Sequence, residues 1–190
     1  MDNPRIIWMT GLSGSGKSTL AKALQTRLNS HKIPSFILDG DALRKGLNSD
    51  LDFTPYARKE NMRRVKEVSK LFVEAGISPI VALISPYRED RNSLRHDLKD
   101  YGFIEVYVKC SIEACEKRDP KGLYKMARGG SITNFTGVSD TYECPLDPEL
   151  VLDTECKDLI ACLDNLWTYL CLEVNSNGSI TNNPGSLISY

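Results

Sequence analysis

The chain has only two histidines, no C-x-x-C pair among its six cysteines, and no surplus of basic residues. It also has no apolar run approaching the roughly 18 residues that a membrane-spanning helix needs. Each absence removes a class of function. With only His31 and His96 to join Cys110, Cys115, Cys144, Cys156, Cys162 and Cys171, a zinc site is poorly supported. Scattered thiols suit a reducing compartment, so the expected location is the cytoplasm. A formal net charge of −1 lacks the basic balance of a nucleic-acid binder, and the missing apolar span argues against a membrane partner. Asp2 and an early first strand leave no room for a signal or transit peptide. An N-K-x-D guanine motif is missing too, which argues against a GTPase. Asp119-Pro120-Lys121-Gly122 matches D-x-x-G, but it lies far downstream and follows a helical pattern, so the match is chance.

What is present begins with Gly11-Leu12-Ser13-Gly14-Ser15-Gly16-Lys17-Ser18, a complete G-x-x-x-x-G-K-[ST] loop followed by Thr19. Ile6–Met9 before it suits a buried strand. Leu20, Leu24 and Leu28 after it repeat at helical spacing. Glycines let consecutive N–H groups converge on phosphate oxygens, and a helix N-terminus adds partial positive charge. Gly14, Ser15, Gly16, Lys17, Ser18 and Thr19 are therefore expected to hold the phosphates of a nucleoside triphosphate. Lys17 would reach the terminal phosphates, and the Ser18 hydroxyl would ligate Mg²⁺.

Apolar runs alternate with helical patterns, which predicts an α/β fold with helices on both faces of a parallel sheet. Strands are predicted at 6–9, 36–38, 80–84, 103–108 and 149–152. Helices are predicted at 58–75, 89–99, 111–118 and 157–172. The 58–75 helix should bury Met62, Val65, Val68, Leu71, Phe72 and Ala75 and end at Gly76. The last helix should bury Leu159, Ile160, Leu163, Leu166, Trp167 and Leu170. Residues 119–148 read as a mobile active-site segment whose Lys121, Lys125 and Arg128 could close over phosphates. One domain is expected over residues 1–172, followed by a polar, disordered tail over 173–190.

Phosphate loops serve many chemistries, so the acceptor side must specify this one. Asp39-Gly40-Asp41 follows a strand, at the end where open α/β sheets bind ligands. A carboxylate there can take a hydroxyl proton or organise Mg²⁺, although Asp41 could also merely cap the next helix. Arg44, Phe53, Arg58 and Asn61 offer guanidinium groups for an anion, a ring for stacking and an amide for a base edge. Arg58 and Asn61 share a helix face. That set suits a nucleotide acceptor better than a sugar. Ser85 ends a strand, and Pro86 should hold it extended with its hydroxyl toward the site.

These residues stand in strings that resemble the adenylyl-sulfate kinase family over roughly residues 5–172: GLSGSGKST (11–19), LDGD (38–41), RKENMRR (58–64), ISPYR (84–88), RDPKGLYKMAR (118–128), NFTGV (134–138) and YECP (142–145). The resemblance implies a P-loop kinase fold with a five-stranded parallel sheet. It implies ATP-dependent phosphorylation of the 3′-hydroxyl of adenosine 5′-phosphosulfate (APS), with Mg²⁺, and usually a homodimer; a functional link to ATP sulfurylase goes with it. It places Asp41, Arg44, Phe53, Arg58, Asn61, Ile84, Ser85, Lys121, Leu123 and Phe135 around the acceptor, and Arg128 and Cys156 with ATP. With Phe135 so placed, Phe53 and Phe135 are expected to sandwich the acceptor's base, the alternative being that both rings are ordinary core residues. Asp39 would act as base or Mg²⁺ organiser. Lys17, Asp39, Asp41 and Ser85 are thus the catalytic candidates. The family links the Ser85 position to a phosphoserine intermediate, but direct transfer needs only positioning and charge neutralisation. Ala42, Asp52, Leu83 and Lys109 depart from the family's common residues. A kinase for another small metabolite and a non-catalytic nucleotide sensor stay open, although the sensor would not need Asp39 and Asp41.

Overall fold

The computed structural model describes residues 3–177, with side chains described through Leu172. Five strands form one parallel sheet: β1 (Ile7–Thr10), β2 (Ser35–Asp39), β3 (Ser78–Ala82), β4 (Ile104–Lys109) and β5 (Leu150–Asp153), in the order β2-β3-β1-β4-β5. Seven α-helices accompany them among the described residues: α1 (Lys17–Ser30), α2 (Gly40–Arg44), α3 (Pro55–Glu74), α4 (Arg88–Asp97), α5 (Ile112–Arg118), α6 (Leu123–Arg128) and α7 (Leu159–Asn177). None is long and apolar enough to cross a membrane.

The central strands read as continuous apolar runs because both faces are covered. Ile7 and Met9 point to one side and pack with Leu20, Leu24 and Leu28 of α1 and Leu166 and Leu170 of α7. Trp8 points to the other and packs with Met62 and Val65 of α3 and Leu94 of α4. Side-chain alternation along a strand makes this division obligatory. Each such fully buried Leu is worth about 1.5–3 kcal/mol in apolar surface removed from water.

The topology also fixes where a ligand can sit. The β1–β2 connection uses α1 on one face, whereas the β3–β4 connection uses α4 on the other. The chain therefore parts between β1 and β3, and a crevice opens at their carboxyl ends. Register brings the pieces level, since Ala82 pairs with both Met9 and Asp39.

Several expectations are corrected here. Residues 119–148 contain α6, whose first turn is held by Asp119: its carboxylate accepts from the N–H groups of Tyr124 and Lys125. The D-x-x-G match is thus a structural turn. Leu71 is 64% exposed because it lies about 100° around α3 from buried-side Phe72, and Ala75 is exposed at the helix end. Gly76 does close α3, at φ 79°. Leu159 and Ile160 are exposed at the start of α7, ahead of the turns that reach the core. α7 continues to Asn177, beyond the expected boundary at 172. The rest of the expected disordered tail lies outside the described residues.

Candidate active site

The phosphate loop links β1 to α1, and its shape depends on glycine. Gly11 has φ 152° and lies so close to β4 that a Cβ would meet the Val108 carbonyl oxygen at 2.5 Å. Gly16, at φ 102°, turns the chain into α1. Carbonyl groups of the loop are held from outside: Tyr124 Oη donates to Ser13 O at 2.9 Å, Arg118 to Gly14 O at 3.4 Å and Thr154 Oγ1 to Ser15 O at 2.7 Å. Fixing the carbonyls this way favours N–H groups turned inward, as an anion cradle requires. Lys17 folds across the loop, with Nζ donating to Gly11 O at 2.8 Å and Leu12 O at 2.7 Å. Burial brings its ammonium down to about 8.

The DGD turn meets the loop directly. Ser18 Oγ donates to Asp39 Oδ2 at 2.5 Å, and Asp39 Oδ1 accepts the Asp41 N–H at 2.9 Å. Asp39 is therefore the N-cap of α2. The capping role considered for Asp41 falls to its neighbour, and Asp41 instead forms an ion pair with Lys121. Both partners are more than half exposed, so that pair contributes at most about 1 kcal/mol.

The acceptor-side candidates line the same cavity, of about 880 Å³. It is bounded by Gly14, Gly16, Lys17, Ser18 and Thr19 from the loop, and by Asp39, Asp41, Arg44, Phe53, Arg58, Asn61, Ile84, Ser85, Lys121, Leu123 and Phe135. Arg44 lies 4.1 Å over the Phe53 ring and donates to Leu51 O and Asp52 O. Burial, then the nearby Arg58 charge, pulls Arg44 below its ordinary value. Two crowded cations suit an anionic ligand. Arg58 is buried and donates from Nε to Phe53 O, from Nη1 to Thr136 Oγ1 and from Nη2 to Asn134 O, with Asp140 at 3.6 Å. Two of these three bonds tie α3 to the 134–136 loop and the third holds the Phe53 turn, so Arg58 is a tether as well as a wall of the cavity. Asn61 Oδ1 accepts from buried Asn48 at 2.8 Å, which leaves its NH₂ for the cavity.

The two phenylalanines differ. Phe53 is 53% exposed, whereas Phe135 is 8% exposed and packs edge-on against Tyr124 at 5.0 Å. Phe135 is as much core as wall, while Phe53 is an exposed ring under Arg44, and both line the cavity. Ser85 is also not extended: its φ is 48°, and β3 has already ended at Ala82. Tertiary hydrogen bonds override the bias that Pro86 imposes.

Three expected ATP residues are not among those lining this cavity. Ser15 is fully buried beneath the loop, with its side chain beside Gly11. Arg128 pairs with Glu116 at 3.0 Å and is more than half exposed; neither it nor Lys125 lines the cavity. Cys156 is exposed and lines a second cavity of about 790 Å³. Asp153 accepts the N–H groups of Glu155 and Cys156, and this tight turn aims Cys156 to the far side. Lys157, Asp158 and Leu159 line the main cavity instead. Sequence reasoning missed them, along with Arg118, Tyr124, Thr154 and Asn48. Arg118, which ends α5, and Tyr124 both lie in the RDPKGLYKMAR string and so carried a local signal. Two of the departures acquire partners: Lys109 pairs with Asp153 at 2.9 Å, and Asp52 accepts from Thr54 at the start of α3. Leu83 is buried against Gly40, where a Cβ would meet it at 2.9 Å.

Comparison with known proteins agrees with this geometry. Residues 3–153 match the family Adenylylsulphate kinase. The chain is 54% identical over 165 residues to a probable adenylyl-sulfate kinase of Halalkalibacterium halodurans, covering 87% of this chain and 82% of that protein. It is 53% identical over 165 residues to the adenylyl-sulfate kinase of Oceanobacillus iheyensis, covering 87% and 83%. The structure of the Mycobacterium tuberculosis APS kinase CysC in complex with AMPPNP and APS superposes with a TM-score of 0.85 at 40% identity, covering 90% of this chain and 99% of that one. The loop, the DGD turn and the acceptor wall meet in one crevice of a 2-3-1-4-5 sheet, and the chain belongs to the adenylyl-sulfate kinase family of P-loop kinases.

Proposed function

We propose that this chain transfers the γ-phosphoryl group of ATP to the 3′-hydroxyl of adenosine 5′-phosphosulfate, giving 3′-phosphoadenosine 5′-phosphosulfate and ADP. The observation that carries this reading is the single cavity walled at one end by Lys17 and Ser18 and at the other by Arg58, Asn61 and Phe53. Phosphoryl transfer needs donor and acceptor in line and charge neutralised between them, and such a cavity supplies both.

The side-by-side oxygens of Ser18 and Asp39, 2.5 Å apart, fit Mg²⁺, which takes one or two protein ligands and completes its shell from phosphates and water. Bound there with ATP, Mg²⁺ would neutralise charge on the phosphate oxygens. Lys17 binds the terminal phosphates, and Leu159 gives an exposed apolar wall for the donor's base. Among the lining carboxylates, Asp39 touches the phosphate loop, so we assign it the transfer end and Asp41 the positioning of the acceptor ribose. Arg44 and Arg58 face the phosphosulfate, Asn61 a base edge, and Phe53 the base plane. Lys121, bridged to Asp41, adds a cation to the acceptor side of the cavity.

A coupled assay of ADP formation with and without APS tests this directly. Turnover that depends on APS is expected; ADP formation indifferent to it would overturn the assignment. The same reading extends to a homodimer, which sedimentation of the full chain tests. Six unpaired thiols support a reducing, cytoplasmic location, and use of APS as acceptor implies a functional link to the sulfurylase reaction that makes it.

A further inference from the structure

Ser85 is held in an unusual way by residues that do not line the cavity. Its backbone sits at φ 48°, a conformation that L side chains rarely adopt without outside support. That support is dense. Arg91 Nη1 donates to Ser85 O at 2.6 Å, and Thr10 Oγ1 donates to the preceding carbonyl of Ile84 at 2.7 Å. Arg91 is 2% exposed; its Nε faces Glu105 Oε1 at 2.8 Å and its Nη2 donates to Glu143 O at 2.5 Å. One buried guanidinium thus joins the turn after β3, the strand β4 and the 143–144 segment.

The side chain is oriented independently. Trp8, fully buried on β1, donates from Nε1 to Ser85 Oγ at 2.9 Å. An indole N–H can only donate, so Oγ is the acceptor in this contact and its own proton is free to point elsewhere. Ser85 lines the cavity between Ile84 and Pro86. The hydroxyl is therefore set up as a donor toward the cavity, and its contact with an N–H donor withdraws electron density from the oxygen that a nucleophile would need.

We propose that Trp8 and Arg91 are positioning residues for the phosphoryl acceptor: Arg91 fixes the Ser85 backbone, Trp8 fixes its hydroxyl, and together they present that proton to the acceptor nucleotide. The inference rests on the reading that APS occupies this cavity. Its signature is loss of acceptor affinity at two buried positions that touch no substrate.

The test is a double-mutant cycle with steady-state kinetics for both substrates. Trp8→Phe keeps a ring in the core and removes the donor. KM for APS should rise roughly five- to tenfold, the size of one lost hydrogen bond, with KM for ATP within about twofold of the parent. Ser85→Ala should give a similar rise. The double variant should be no worse than Ser85→Ala alone, because Trp8 acts only through that hydroxyl. Arg91→Lys keeps the buried charge opposite Glu105 but loses the fork, and should show the same APS-selective loss. If Trp8→Phe does not fold, 3-benzothienylalanine at position 8 keeps both rings and replaces N–H with sulfur. Equal losses for ATP and APS, or a Trp8 effect undiminished in the Ser85→Ala background, would mean that Trp8 merely packs and would overturn the proposal. Parent-like kinetics for Arg91→Lys would overturn its half. Absence of APS-dependent turnover in the parent refutes the kinase reading itself, and this inference with it, so that assay comes first.

Discussion

The two ends of the cavity are built on different principles. The donor end comes from one unbroken stretch, Gly11–Thr19, shaped by three glycines at positive φ, a helix starting at Lys17 and a strand before it, with its carbonyls braced from outside by Arg118, Tyr124 and Thr154. The acceptor end is assembled from α2, the Phe53 turn, α3, the turn after β3 and the 118–136 segment, and its parts are fixed by bonds between distant residues. Arg58 to Thr136 spans 78 positions and Lys121 to Asp41 spans 80. A ligand common to many proteins can be met by a motif. A particular acceptor has to be met by a surface that only the whole fold creates, so damage at the donor end should stop all chemistry, whereas damage at the acceptor end should change selectivity.

Lys17→Ala is the harshest test of that contrast. The loop carbonyls stay fixed by Tyr124, Arg118 and Thr154, so the melting temperature should hold, while turnover falls on the order of a thousandfold through loss of the charge on the migrating phosphoryl group. Near-normal turnover would remove the phosphate-loop assignment.

Asp39→Asn and Asp41→Asn place the boundary between the two ends. Asparagine at 39 can still cap α2 through its oxygen but loses the charge beside Ser18, so kcat should fall by about a hundredfold or more. Asp41→Asn loses only an exposed partner for Lys121; its effect should be smaller and concentrated in KM for APS. Equal effects on kcat would place both carboxylates at the transfer step and erase the boundary.

Much of this was legible without coordinates, and the failures share a cause. The sheet, the phosphate loop and the DGD turn were readable because each is specified by its own residues: a run apolar on both faces, a glycine spacing, a carboxylate at a strand end. What misled was competition from distant groups. Pro86 biases Ser85 toward extended backbone, yet Arg91 and Thr10 pull the carbonyls around it into a left-handed turn. Arg128 reads as a phosphate ligand until Glu116, on the preceding helix, claims it. Cys156 depends on the Asp153 turn, and Thr154's role on a carbonyl 139 positions away. The strings shared with the family named residues that line one cavity, but they gave no hint that Phe135 is anchored and Phe53 exposed.

That last difference gives a milder pair of variants. Phe53→Ala should raise KM for APS by about tenfold through lost stacking and leave the melting temperature nearly unchanged, since the ring is more than half exposed. Phe135→Ala removes a buried ring packed on Tyr124 and should lower the melting temperature as well, loosening the loop that Arg58 holds. Thermal melts beside KM for both substrates separate them. If Phe135→Ala melts like the parent, the ring is a clamp and its packing incidental.

The smallest effect returns to the donor end and concerns protons. Burial brings the Lys17 ammonium down to about 8, so in the free enzyme it loses its charge as pH rises through that value. Bound phosphates favour the charged form, which raises the value in the complex. The linkage then has one sign: ATP binding takes up a proton wherever the free lysine is neutral and the bound one charged, and ATP affinity weakens as pH climbs above 8. At pH 8 the uptake should be about half a proton, with affinity lower by about twofold than at pH 6.5, where Lys17 is charged in both states. Calorimetric titration of ATP in two buffers of different ionisation enthalpy measures the proton count directly. Lys17→Met should abolish the uptake while leaving any contribution from other groups in place. An uptake that survives in Lys17→Met would transfer the titration to another group and leave Lys17 charged throughout.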